Sequence, residues 1–67
     1  MQRVTLSGCP ALRFEDDAGD TATLVAAVDG QHIEIRLHSP GLWLTREQAG
    51  RLAEVLARFA ETGELTP

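Results

Sequence analysis

The feature that most constrains the fold is residues Thr21–Leu37, where two alternating segments flank Asp29-Gly30. An Asp-Gly pair between strand-like segments is a signal for a two-residue type I′ hairpin turn. Directly opposed residues share a face of the hairpin, and a slip of one residue would mix the two faces. With this turn, one face is almost entirely apolar. It comprises Ala22, Leu24, Ala26, Val28, Ile33, Ile35 and Leu37.

Shorter extended segments lie on both sides of this hairpin. Arg3–Leu6 alternates polar and apolar residues and is predicted to be a first strand, and Ala11–Phe14 is a candidate second strand. Glu15–Asp20 forms an acidic turn that we expect to be solvated. Leu42–Leu44 is predicted to be a last short extended segment, after the turn at Ser39–Gly41.

An amphipathic helix is predicted in the C-terminal third of the chain. Thr45 is its N-cap, and Gln48 completes a capping box by reaching back to the Thr45 N–H. Gly63 ends the helix because glycine adopts the left-handed conformation without a Cβ clash. Apolar residues at spacings of three and four form one stripe, with Val55 at its edge. The stripe comprises Ala49, Leu52, Ala53, Leu56, Phe59 and Ala60.

A helix of about 17 residues is not stable by propensity alone, so its apolar stripe must be covered. We therefore predict an α+β fold, an antiparallel β-meander of three to five strands with one C-terminal helix packed on one face. Residues 1–67 are expected to form a single compact domain. The predicted core is Leu24, Ala26, Ile33, Ile35, Leu37, Leu42, Leu44, Leu52, Leu56 and Phe59, joined by Leu12 and Phe14 if the second strand pairs.

Length and composition limit how this fold can be stabilised. A domain of 67 residues buries only about 60% of its unfolded surface, and a single Cys cannot form an internal disulfide. Oligomerisation is a common remedy, so we expect a homodimer. A net charge of −4 argues against direct nucleic-acid binding. No apolar run of membrane-spanning length and no signal peptide are recognisable, which favours a cytoplasmic protein. The use of Arg as the sole strong base, with abundant Ala and Leu, is typical of a GC-rich bacterial genome or of a phage that infects such a bacterium.

The candidate chemical groups do not form a recognisable motif. His32 and His38 share a strand face but lie about 20 Å apart by strand rise, too far to bind one metal ion. Cys9 has no neighbouring base to activate it. The acidic residues of Asp16–Asp20 lack the spacing of a calcium-binding loop. We therefore expect no catalytic, cofactor-binding or metal-binding residues.

Two surfaces remain as candidate contacts with a protein partner. Trp43 is the only Trp, and it either covers the edge of the core or serves as an exposed anchor at an interface, where Trp is enriched. The second face of the hairpin is either solvated or a pairing surface for a second copy or another protein. The candidate partner-binding residues are Trp43, Val25, His32, Glu34 and Arg36.

The order of signals over residues 25–65 forms a longer pattern. It consists of Val25–Val28, Asp29-Gly30, Ile33–Arg36, Ser39–Gly41, Leu44-Thr45 and a helix closing on Glu61–Leu65. This order resembles a family of small actinobacterial proteins of unknown function, often encoded beside helix-turn-helix regulators. In that family a V-x-V-R-D-S segment precedes a Pro-Gly turn, an L-x-F-T strand end and a helix trailing into G-E-F. The resemblance implies a regulatory protein partner and no enzyme activity, and it assigns no functional residue.

Two functional interpretations follow. The leading one is a small non-enzymatic protein-interaction module that is a partner of a transcription regulator and self-associates. The alternative is a phage- or plasmid-encoded acidic inhibitor of a nucleic-acid-handling complex, whose negative surface competes with nucleic acid for a basic groove.

Overall fold

The computed structural model describes all 67 residues. The chain forms a four-stranded sheet and one helix, joined by turns and loops. The elements are β1 (Gln2–Leu6), β2 (Cys9–Glu15), β3 (Thr21–Ala26), β4 (Ile33–Leu37) and α1 (Arg46–Thr62). All strand pairs are antiparallel, in the order β1-β2-β3-β4. The predicted α+β meander with a C-terminal helix is confirmed. Leu42–Leu44 does not join the sheet, because its backbone contacts the β2–β3 turn instead.

The predicted register of the β3–β4 hairpin is also confirmed. Leu24 lies opposite Ile35, and the flanking pairs follow in the same frame. On the other side of β3, Leu24 lies opposite Leu12 of β2. Because opposed residues share a face, Leu12, Leu24 and Ile35 form one row across the sheet on the side that α1 covers.

The predicted type I′ turn at Asp29-Gly30 is wrong. Gly30 has a φ of 69°, but Asp29 lacks the positive φ that this turn requires at both central residues. The Asp29 Oδ1 instead accepts the backbone N–H of Gln31 at 2.9 Å, which favours a longer loop. The loop therefore spans residues 28–31, closed by the Ala27 N–H donating to the His32 carbonyl at 2.9 Å. Two-residue and four-residue loops are both even, so the faces of the strands are unchanged.

The two-residue turn with positive φ at both central residues lies between β1 and β2. Ser7 has a φ of 51° and Gly8 a φ of 81°, and the flanking residues Leu6 and Cys9 are paired. These are the backbone signs of a type I′ turn, which matches the right-handed twist of the strands.

Both ends of α1 are as predicted. The Gln48 N–H donates to Thr45 Oγ1 at 3.1 Å, and the Thr45 N–H donates to Gln48 Oε1 at 2.9 Å, which completes the capping box. At the other end Gly63 has a φ of 73°, and its N–H donates to the Phe59 carbonyl at 2.8 Å. This bond closes the last turn of the helix.

The buried face of α1 differs from the predicted stripe. Val55, placed at the edge by the sequence, is buried at the centre, and Leu52 and Phe59 pack beside it. The three stripe alanines, Ala49, Ala53 and Ala60, are exposed. In the observed rotation of α1, the longer side chains of Leu52, Val55 and Phe59 reach the sheet. A rotation that buried the three alanines would expose Val55 to water.

The core lies between α1 and the central strands. Its buried members are Leu12, Leu24, Ala26, Val55 and Leu65, with Phe14, Ile33, Leu52 and Phe59 packed against them. Leu65 was not predicted, and it reaches the core because the left-handed Gly63 turns the tail back toward the sheet. The predicted core residues Ile35 and Leu37 are instead partly exposed, and Leu42, Leu44 and Leu56 are half-buried outside this cluster.

The path of α1 explains why part of β4 is uncovered. At its start, the Gln48 Nε2–H donates to the Glu15 carbonyl at the end of β2, at 3.3 Å. At its end, Gly63 lies beside the Gly30 carbonyl in the loop before β4. The helix therefore crosses the sheet diagonally. It covers Ile33, next to that loop, and leaves the rest of β4 open.

We expect Thr45→Ala to lower the free energy of unfolding by about 1 kcal/mol, because it removes the acceptor of the Gln48 N–H. Thr45→Ser keeps the hydroxyl and is expected to retain most of the stability. Urea titration followed by far-UV circular dichroism measures both values. Equal losses in the two variants would show that the cap hydroxyl does not stabilise the helix.

Candidate functional site

The outer edge of β4 carries backbone groups that no strand of the chain pairs. β4 is a terminal strand, bonded only to β3. The His38 N–H donates to the Thr21 carbonyl at 3.3 Å, and the Ala27 N–H to the His32 carbonyl. These two bonds fix the antiparallel alternation, so the even-numbered residues of β4 face β3. The N–H and C=O groups of the odd-numbered residues point outward. Those residues are Ile33, Ile35 and Leu37.

Two of these three residues also leave apolar side chains exposed. Ile35 is 49% exposed and Leu37 is 45% exposed, because the diagonal helix does not reach them. An edge strand with unpaired backbone groups beside exposed apolar side chains is prone to pair with a strand of another chain. Proteins ordinarily protect such an edge with charges, proline or a bulge. The outward residues of β4 have none of these.

The opposite edge of the sheet, in β1, is protected. The residues that flank the two-residue turn form a hydrogen-bonded pair, so the outward backbone groups of β1 belong to Arg3 and Thr5. Both side chains are polar and exposed. A charged side chain at this position discourages edge-to-edge pairing. The two edges therefore differ, and β4 is the one open to a further strand.

The predicted contact residues Glu34 and Arg36 lie together on the face of β4 away from the helix. Arg36 Nε donates to Glu34 Oε1 at 2.7 Å, and more than half of each side chain is exposed. Each therefore keeps most of its surface free. An exposed pair of this kind stabilises the chain by less than about 1 kcal/mol, so it can be exchanged for other partners at small cost.

Val25 was also predicted to be a contact, and the structure leaves it little surface to offer. It lies between Ala11 and Glu34 on the central strand β3 and is only 6% exposed. Its neighbour on the same face, Thr23, is enclosed in the same way between Arg13 and Arg36. Both residues lie on a central strand with a neighbour on each side, and the longer Glu34 and Arg36 lie opposite them on β4, which alternation alone did not reveal.

His32, another predicted contact, is exposed, but its side chain and backbone are bonded within its own loop. Its Nδ1 lies 2.6 Å from Asp29 Oδ2, and its backbone N–H donates to Asp29 Oδ1 at 3.2 Å. The hydrogen bond from the Gln31 N–H, then the contact with the His32 ring, lowers the pKa of Asp29. His32 thus stabilises the loop that leads into β4.

Trp43 lies at the other end of the sheet and is 71% exposed as a residue, so it does not cover the core. Its backbone is held on both sides. The Trp43 N–H donates to Asp16 Oδ2 at 2.8 Å, and the Trp43 carbonyl accepts the Asp17 N–H at 2.8 Å. Its backbone is therefore fixed while the indole is exposed, and its role as an interface anchor, where Trp is enriched, stays a prediction.

Asp16 is the important residue that sequence reasoning missed. The acidic turn was expected to be solvated, but the Asp16 carboxylate is buried. Besides Trp43, it accepts the N–H groups of Ala18 at 2.9 Å and Asp20 at 2.8 Å. The bond from Trp43 is the largest cause that lowers the pKa of Asp16, and burial opposes it. An Asp at the start of a turn predicts local bonds such as those from Ala18 and Asp20. The bond from Trp43 joins residues 27 positions apart in the sequence, and no local signal indicates it.

The remaining surfaces show little that converges on a ligand. Asp17, Asp20, Pro40 and Trp43 are among the residues lining an open depression of about 470 Å³ beside the β2–β3 turn. Nowhere do three His, Cys, Asp or Glu side chains come close enough to hold one metal ion. The only helix lacks the length and apolar character that a membrane span requires.

The structure thus brings Glu34 and Arg36 together, with His32 before them and Trp43 beyond the far end of β4. The free edge of β4, with Ile35 and Leu37, was not among the predicted contacts because both residues were assigned to the core. Searches against protein-family models, curated proteins and solved structures gave no significant match to this chain.

Proposed function

We propose that the chain is a small non-enzymatic protein-interaction module that binds an extended protein segment along the free edge of β4. The observation that carries this proposal is the coincidence, at Ile35 and Leu37, of outward backbone groups and half-exposed apolar side chains. A strand added to this edge would satisfy the backbone groups and cover the side chains at the same time. Both changes favour binding, because the apolar side chains are removed from water and each main-chain hydrogen bond to the added strand gives a small net gain over its bond to water.

Trp43 extends this binding surface at one end. Leu37 ends β4 at the same end of the sheet as the β2–β3 turn, to which the Trp43 backbone is bonded. A partner strand that runs past Leu37 therefore comes toward the exposed indole. Trp contributes large contact area at interfaces, so it is a second anchor for the same partner.

The resemblance to proteins encoded beside helix-turn-helix regulators favours a transcription regulator as one such partner. An acidic module suits this role, because it acts on the regulator and does not compete for the DNA phosphates.

Site-specific photo-crosslinking tests the proposal. A photoreactive amino acid placed at Ile35 or Leu37 is expected to give covalent protein adducts in the organism that encodes the chain. Val28 is the matched control, because it belongs to the same hairpin, is also apolar and is 94% exposed. Mass spectrometry of the adducts identifies the partner. Adducts no more abundant at positions 35 and 37 than at position 28 would refute the use of this edge.

A further inference from the structure

We infer that the strand which pairs with β4 is β4 of a second copy, antiparallel about a twofold axis through Ile35. This inference rests on the proposed use of the free edge, and it adds the identity of the partner and the pairing register. It is based on the order of residues in β4, Ile-Glu-Ile-Arg-Leu. When a second β4 runs antiparallel to the first, apolar residues lie opposite apolar residues and Glu lies opposite Arg.

The backbone groups fit this arrangement. With the axis at Ile35, Ile35 lies opposite the partner's Ile35, and Ile33 lies opposite the partner's Leu37. All of these residues turn their N–H and C=O groups outward, away from β3. In an antiparallel ladder such opposed residues exchange both of their N–H···O bonds. The pairing therefore uses every outward backbone group of β4.

The charges fit it equally well. The same register places Glu34 opposite the partner's Arg36 and Arg36 opposite the partner's Glu34. These are the non-hydrogen-bonded pairs, in which the Cα atoms approach to about 4.5 Å and the side chains are closest. Opposite charges in this position are favourable. The two ion pairs between Glu34 and Arg36, one within each chain, are thereby replaced by two ion pairs between the chains.

The neighbouring registers are disfavoured by the same residues. An axis at Glu34 places Glu34 opposite the partner's Glu34, and an axis at Arg36 places Arg36 opposite the partner's Arg36. Both still pair two of the three outward residues of β4, so hydrogen bonding alone does not exclude them. Like charges directly opposed across a strand pair are destabilising. Registers displaced further leave fewer residues of β4 paired, so the axis at Ile35 is selected.

The apolar side chains complete the interface. A twofold axis perpendicular to the joined sheet keeps both helices on one face, and the odd-numbered side chains of both β4 strands lie on that face. The half-exposed Ile35 and Leu37 of each copy then contact those of the other between the two helices. The pairing thus covers the part of the sheet that the diagonal helix leaves open.

Exchange of the charges tests this register. Wild-type chain is expected to dimerise, and Glu34→Arg and Arg36→Glu are each expected to raise the dissociation constant about tenfold or more, because two opposed pairs become like-charged. Mixing the two variants restores association, since the two arginines of one chain face the two glutamates of the other. Sedimentation velocity gives the dissociation constants, and native mass spectrometry distinguishes the heterodimer by mass.

Glu47→Arg and Arg51→Glu on α1 are the matched controls. This exposed pair has the same 2.7 Å contact, and the substitutions make the same changes in net charge, but we expect no effect on dimerisation. Circular dichroism confirms that all four variants, altered at exposed residues, remain folded. A monomeric wild-type chain, variants that dimerise as tightly as wild type, or a mixture without heterodimer would each overturn the inference.

The crosslinking experiment separates this inference from the proposed function. Adducts at position 35 with the mass of two copies support both. Adducts at that position with other proteins only would overturn the self-pairing and leave the use of the edge intact. No adducts above the control at position 28 would overturn both.

Discussion

Leu24→Ala is expected to lower the free energy of unfolding by about 2–5 kcal/mol, the range for truncating a fully buried Leu. Leu24 has no exposed surface and lies at the centre of the core, opposite Leu12 in the neighbouring strand. A domain of this size has about 3–10 kcal/mol in total. The substitution therefore removes a large share of the stability, and a sizeable unfolded fraction is expected at 25 °C. Urea titration followed by far-UV circular dichroism measures the loss.

Ile35→Ala is the matched control for this prediction. Ile35 lies directly opposite Leu24 on the same face of the sheet, but about half of the residue's surface is already in water. Its truncation is expected to cost about 1 kcal/mol or less, measured at protein concentrations low enough to keep the chain monomeric. The contrast tests the diagonal path of the helix. Equal losses would mean that α1 covers β4 as fully as β3.

The register of the β3–β4 hairpin could be predicted from sequence because it depends on local alternation. Side chains in a strand have a period of two, so any even loop between β3 and β4 gives the same two faces. The faces were therefore correct although the turn was not a type I′ turn. The ends of the helix were also predictable, since Thr45, Gln48 and Gly63 act within single turns.

The uncovered part of β4 could not be predicted in this way. The direction of α1 across the sheet depends on contacts between distant parts of the chain. Gln48 bonds the end of β2, 33 residues before it, and Gly63 lies beside Gly30. Hydrophobic periodicity identifies an apolar stripe on a helix but does not give its crossing direction. Ile35 and Leu37 were therefore assigned to the core, and the free edge that they form was missed.

The role of Asp16 could not be predicted for the same reason, because its bond to Trp43 joins distant parts of the chain. Substitution of Asp16 is the second change with a large expected effect. In Asp16→Asn one carboxylate oxygen becomes an NH₂ group. If the remaining oxygen keeps the bonds from Ala18 and Asp20, the NH₂ group faces the Trp43 N–H, and two donors oppose each other. We expect the melting temperature to fall by about 5–10 °C. Hydrogen exchange of the Trp43 N–H is expected to become faster.

The matched control for this substitution is Asp17→Asn, which removes the same charge one residue away. Asp17 is exposed, and it bonds Trp43 through its backbone N–H, which the substitution keeps. Little change in melting temperature is expected. If both variants melt at the same temperature, the Asp16 carboxylate does not hold the 42–44 segment against the β2–β3 turn.

The pH dependence of stability provides an independent measurement of the same carboxylate. The pKa of Asp16 in the folded chain is lowered from its ordinary value of 3.8, so the charged form stabilises the fold. This stabilisation is complete above that ordinary value and is lost as the pH falls through the lower pKa of the folded chain. Wild-type chain is therefore expected to lose stability on acidification below about pH 4. Asp16→Asn is expected to lose less over the same range, and the remaining slope includes Asp29, whose pKa is also lowered. Equal slopes for the two chains would show that the charge of Asp16 is not what fixes the backbone of Trp43.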